Sequence, residues 1–94
     1  MLPRIVNVNY LHDHQLELSF NTGETGVIDF HADLAKFHGV LSPLRDVAFF
    51  AKVRVDPESG TLVWPGEIEL DPDVLYSRAT GAPLPEFASA MAGD

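Results

Sequence analysis

The sequence predicts an α+β fold: an antiparallel three-stranded meander, a helix, a two-stranded hairpin and a second helix, in the order β-β-β-α-β-β-α. Three observations carry this expectation. Apolar and polar residues alternate through the first thirty positions, the period of half-buried strands. Ser42-Pro43 and Asp71-Pro72 each place a capping side chain before a proline suited to the first helical turn. Between them, Val53 to Trp64 is rich in strand formers and is broken by the turn Pro57-Glu58-Ser59-Gly60.

The elements follow in order. Val6, Val8 and Tyr10 alternate with Asn7 and Asn9, which predicts a first strand with those three apolar residues on one face. His12-Asp13-His14 interrupts the pattern as a tight turn, where histidines are expected to be solvated. Leu16, Leu18 and Phe20 then share one face of a second strand. Asn21-Thr22-Gly23-Glu24 is turn chemistry, because Gly23 can take positive φ, and Ile28 and Phe30 belong to a third strand.

Ser42 is expected as the N-cap of the first helix, with Pro43 opening it and Leu44, Val47, Ala48 and Ala51 forming its apolar stripe. Phe50 flanks that stripe, whereas Phe49 falls off it and either packs under a neighbouring loop or marks a contact surface. Val53 to Asp56 and Thr61 to Trp64 form the second hairpin. Trp64 alternates with Leu62 as a core residue would, and Glu67 and Glu69 alternate with Ile68 and Leu70 as a solvent face would. Asp71 caps the last helix, Asp73 adds a second acid facing its positive end, and Gly81 stops it. The expected organisation is one domain over residues 1–80 and a Pro/Ala-rich tail over 81–94. In that tail Phe87, Ala90 and Met91 would share a helical face suited to docking.

Composition narrows the function. The chain has 94 residues and no cysteine, so disulfides, thiolate nucleophiles and cysteine-ligated zinc are excluded. Neither a secretory leader nor a membrane span is evident, which predicts a cytoplasmic protein. The net charge of −8 is unevenly placed. Residues 1–55 hold six acids and five bases, and residues 56–94 hold eight acids against Arg78 alone. Such a chain is poorly suited to displacing counterions from nucleic acid, and a basic protein partner is the better electrostatic match.

Catalytic constellations are weak. No serine lies in a G-x-S-x-G elbow, and there is neither a Walker loop nor a G-x-G-x-x-G. His12, His14, His31 and His38, with Asp13, Asp29 or Asp33, could ligate a metal or a small molecule if they converge, which frames an alternative reading as a small metal- or ligand-binding enzyme. Arg45, Lys52 and Arg54 are the densest basic group.

Four stretches taken together resemble a known bacterial family, the domain of unknown function 2442. They are Pro43-Leu44-Arg45-Asp46, Val53-Arg54-Val55-Asp56, Trp64-Pro65 and Leu70-Asp71-Pro72-Asp73-Val74-Leu75-Tyr76. The resemblance covers about four-fifths of the chain. It implies the same β-β-β-α-β-β-α order and supplies no catalytic residues. Some relatives are fused to a helix-turn-helix domain, for which this sequence leaves no room after Thr80. Others are encoded beside a second small protein in what looks like a toxin–antitoxin pair. The expected function is therefore a non-catalytic protein-interaction module, antitoxin-like, without cofactor or metal. It would bind a basic protein or a second copy of itself through Phe49, Trp64, Glu67, Glu69, Asp71 and Asp73.

Overall fold

A computed structural model describes residues 3–82. The Phe87, Ala90 and Met91 face expected in the tail lies outside the described residues. Two antiparallel three-stranded sheets share one core. The first consists of β1 (Ile5–Tyr10), β2 (Gln15–Phe20) and β3 (Thr25–Asp29) in sequential order. The second consists of β4 (Arg54–Asp56), β5 (Thr61–Trp64) and β6 (Ile68–Glu69). Two 3₁₀ helices, His31–Lys36 and Gly39–Arg45, and a short α1 (Val47–Phe50) link the sheets, and α2 (Pro72–Thr80) follows. Among the described residues, no helix is long and apolar enough to cross a membrane.

The meander forms as the alternation predicts, with Leu16, Leu18 and Phe20 buried on the inner face of β2. Gly23 turns the chain at φ +89°, and its N–H donates to the Phe20 carbonyl at 3.0 Å. One face differs from expectation. The β1–β2 register shifts between Ile5 and Asn7, a bulge that buries Ile5, keeps Val8 against the core and leaves Val6 58% exposed.

The first helix also departs from the expected start. Pro43 lies inside the 3₁₀ helix Gly39–Arg45, and its carbonyl accepts the Asp46 N–H at 3.1 Å. The α-helix starts at Asp46 instead, whose Oδ1 accepts the Ala48 N–H at 3.0 Å and so caps α1. Ser42 makes no such bond to the helix start; Leu44 is buried, as its place in the stripe required, while Val47, Ala48 and Ala51 stay exposed. The second hairpin forms as predicted and gains a third strand, because Ile68 and Glu69 pair with Trp64 and Val63.

α2 begins and ends as its signals require. Asp71 Oδ1 accepts the Asp73 N–H at 2.9 Å, Pro72 occupies the first turn, and Gly81 closes the helix at φ +81°. The helix lies close along β3. A Cβ added at Gly26 would sit 2.7 Å from the carbonyl carbon of Ala79 and nearer still to its oxygen, so glycine sets this approach. Tyr76 donates its phenol proton to Glu24, and Arg78 spans the far end. Its Nη2 lies 3.2 Å from the Asp29 carbonyl and 2.9 Å from Asp33 Oδ2, and the guanidinium stands 5.0 Å over the Phe30 ring. The Asp33 approach is off the hydrogen-bonding direction, so charge holds that pair.

Trp64 is fully buried at the centre of the core, beside Phe50 at 5.6 Å, and its Nε1–H donates to the Phe50 carbonyl at 2.8 Å. The sheets are stitched at β1. The Ile5 N–H donates to Gly60 O at 2.9 Å, and the Arg4 guanidinium donates to the carbonyls of Pro57 and Glu58 at 2.8 and 2.7 Å. Arg4 also exchanges bonds with Asn21, its N–H donating to Oδ1 and its carbonyl accepting the Asn21 N–H, both at 2.9 Å.

Candidate partner-binding face

Strand alternation divides the second sheet into two faces. Val55, Leu62, Trp64 and Ile68 point to the core, and Arg54, Asp56, Val63 and Glu69 point away from it. Pairing places Arg54, Val63 and Glu69 in one row across the three strands. Val63 stays buried between its longer neighbours and forms the floor of an open groove of about 530 Å³. Arg54, Asp56, Pro65, Glu67 and Glu69 form its walls.

This groove carries three carboxylates against one guanidinium. Asp56 is held as an anion. Its Oδ1 accepts the Glu58 N–H at 2.9 Å, and that bond, more than the nearby Arg54 charge, keeps its carboxyl below the ordinary range. Glu67 occupies the turn into β6 at φ +63°, not the extended backbone expected from alternation, and it is exposed where it lines the groove. β6 is only two residues long and stands at the edge of its sheet.

Of the six residues expected to face a partner, the structure leaves Glu67, Glu69 and Asp71 exposed, and it half-buries Phe49 and Asp73. Phe49 packs against the core, and Asp73 sits in the first turn of α2. The Trp64 ring is wholly enclosed, so the folded chain cannot offer it to a partner. Asp71 is engaged as a helix cap, which leaves Asp56, Glu67 and Glu69 as the carboxylates that share one surface. Asp56 comes onto that surface through its place opposite Thr61 in the register.

The histidines do not assemble a metal centre. His12 is exposed and pairs with Asp13 at 3.1 Å, and His31 and His38 are exposed. His14, expected in a solvated turn, is instead buried, its ring 4.6 Å from that of Phe50 and its Nε2 2.9 Å from Leu44 O. Among the described residues, no group of three His, Asp or Glu side chains could hold a metal ion. The Arg45, Lys52 and Arg54 side chains are all exposed.

A solved structure from Nitrosomonas europaea, named "Putative DNA Binding Protein", is similar to this chain. It has a TM-score of 0.70 and 26% identity, over 85% of this chain and 50% of that one. The chain thus spans about half the length of that protein. No curated protein matches the chain. A family model described as "Protein of unknown function (DUF2442)" matches residues 5–81, the whole span from β1 to the end of α2, and the chain belongs to that family.

Proposed function

We propose that the protein is a non-catalytic interaction module that binds a basic protein partner across the outer face of its second sheet, in the manner of an antitoxin. The observation that carries this reading is the groove on that face, with Asp56, Glu67 and Glu69 around a Val63 floor and only Arg54 to offset them. Carboxylates held at the rim of a groove raise the encounter rate with a cationic partner and select against acidic ones. The partner's basic surface is the one an RNA-directed protein would use on its substrate, so occupancy by this chain would screen it.

The test is affinity purification of the tagged chain from its native cells, followed by binding measurements on the recovered partner across a salt series. Binding is expected to weaken steadily with salt, and Glu67→Lys with Glu69→Lys to weaken it further. Affinity that is flat with salt and indifferent to the two reversals would overturn the reading.

A second reading is direct binding of nucleic acid. It is favoured by the name of the similar Nitrosomonas europaea protein and by the exposure of Arg45, Lys52 and Arg54. The same reversals separate the two, because adding lysines to the groove strengthens binding to a phosphate backbone and weakens binding to a basic protein.

A further inference from the structure

A cleft of about 190 Å³ lies between the first 3₁₀ helix and α2, and it shares no residue with the acidic groove of the second sheet. Phe30, Phe37 and Leu75 are buried at its base. Leu70 and Val74 line it above them, and Val74 is 42% exposed. Its polar groups are already engaged, because Arg78 pairs with Asp33 and Asp71 caps α2. What the cleft offers an occupant is therefore aromatic and aliphatic surface. An apolar cavity of roughly 150 Å³ takes a benzene ring, so this one admits a single large apolar side chain and little more.

The exit of the chain lies beside the cleft. Val74, Leu75 and Arg78 reach it from one face of α2. At the end of that helix the Gly81 N–H donates to Ser77 O at 2.9 Å, and Ser77 Oγ donates to the Ala82 carbonyl at 2.6 Å. The Ala82 N–H donates to Thr80 Oγ1 at 3.2 Å. These bonds hold Ala82 on the last turn of the helix that walls the cleft. From Thr80 back to Val74 the helix spans only about 9 Å. The sequence continues Pro83-Leu84-Pro85-Glu86-Phe87. Five residues reach up to about 17 Å, so Phe87 is within range of the cleft from Ala82.

We infer that this cleft is the seat of the chain's own Phe87. The ring matches the volume and extends the aromatic pair Phe30 and Phe37, and its burial removes both Phe87 and Val74 from water. Pro83 and Pro85 have no N–H, so at those positions the segment brings no backbone donor to an apolar wall. The short tether presents the ring at an effective concentration on the order of millimolar, which a competitor from solution must exceed. The inference is independent of the protein-partner reading, whose acids line a different groove.

The test uses the full chain. It has no cysteine, so introduced thiols are the only ones present. Val74→Cys with Ala88→Cys is oxidised by copper–phenanthroline at low protein concentration, beside Val6→Cys with Ala88→Cys as the control on exposed β1. The Val74 pair should close an intramolecular disulfide at least tenfold faster, and adding Phe87→Asp should abolish that preference. In the cysteine-free chain with labelled methyl groups, Phe87→Ala should shift the Val74 and Leu70 resonances, through loss of the ring current, and leave Val6 unmoved. Equal closure rates, a preference that survives Phe87→Asp, or unmoved Val74 methyls would overturn the inference. Disulfides formed only between molecules would give the cleft to a second copy and overturn it likewise.

Discussion

Replacing Gly26 by alanine tests the seating of α2, on which the position of the last helix depends. In an isolated strand this change is favourable by about 0.5–1 kcal/mol, because alanine loses less backbone freedom on folding. In this protein the new Cβ would stand 2.7 Å from the Ala79 carbonyl carbon. Ordinary carbon contacts lie near 3.5–4.0 Å, so α2 must move outward by roughly 1 Å. That displacement loosens the Tyr76 bond to Glu24 and the Arg78 contacts with Asp29 and Asp33, which lie on either side. Overpacking costs about 1–3 kcal/mol, and against a backbone carbonyl, which cannot rotate aside, the upper part of that range applies, about 2–3, so the net loss is about 1–2 kcal/mol. For a domain of this size, thermal unfolding should shift down by roughly 5–15 °C. Circular dichroism melts of the wild type and Gly26→Ala measure it. Ala79→Gly is the control: the obstruction is the backbone carbonyl, so it should not rescue the melt. A Gly26→Ala protein as stable as wild type, or one restored by Ala79→Gly, would refute the close helix–strand approach.

Other expectations follow from the same contacts. Trp64→Phe removes both ring volume and the bond to the Phe50 carbonyl, and should cost about 2–4 kcal/mol in urea unfolding. Asp71→Ala removes the α2 cap and should cost about 1 kcal/mol, whereas Ser42→Ala should be nearly silent, because Asp46 caps α1. The Tyr76 phenol is held above its ordinary value, first by its bond to Glu24 and then by burial. Folding thus favours the neutral phenol, and that stability is complete below about pH 10 and lost as pH rises through the folded value. Tyr76→Phe should remove this alkaline loss from the pH profile of unfolding. Asp56 has the opposite sign: its depressed carboxyl contributes above about pH 4 and loses that contribution as pH falls through the folded value, a loss that Asp56→Asn should abolish.

Features set by neighbouring residues were legible in the sequence. The Gly23 turn, the inner face of β2 and the Asp71-Pro72 start of α2 each arise from contacts within a few positions, and each forms where expected. The missed features depend on distant partners. His14 reads as solvated turn chemistry because Leu44, whose carbonyl it bonds, is thirty positions away. The bulge at Ile5 answers to Gly60 and Arg4 contacts on the other sheet, not to the Val-Asn alternation. Ser42-Pro43 carries a sound helix signal, but Pro43 is accommodated in a 3₁₀ turn and a second capping residue, Asp46, follows four positions on. For the groove, the acids of the second half were visible as a charge excess. Only the strand register shows that Asp56 joins Glu67 and Glu69 while Asp73 turns to the helix.

The Arg4 stitch has a consequence for the order of events during synthesis. Its guanidinium bonds carbonyls 53 and 54 positions later in the chain, and the adjacent Ile5 N–H awaits Gly60. The meander can close by local turns as soon as it leaves the ribosome, but the far side of its first strand stays open to water until the second hairpin has emerged. Closing so long a loop costs entropy before any contact is returned. The start of β1, although made before the second hairpin, is therefore among the last parts of the fold to be locked. The two sheets become one cooperative unit only at that moment, so Arg4→Ala would slow the final step of folding more than Thr22→Ala in the local β2–β3 turn.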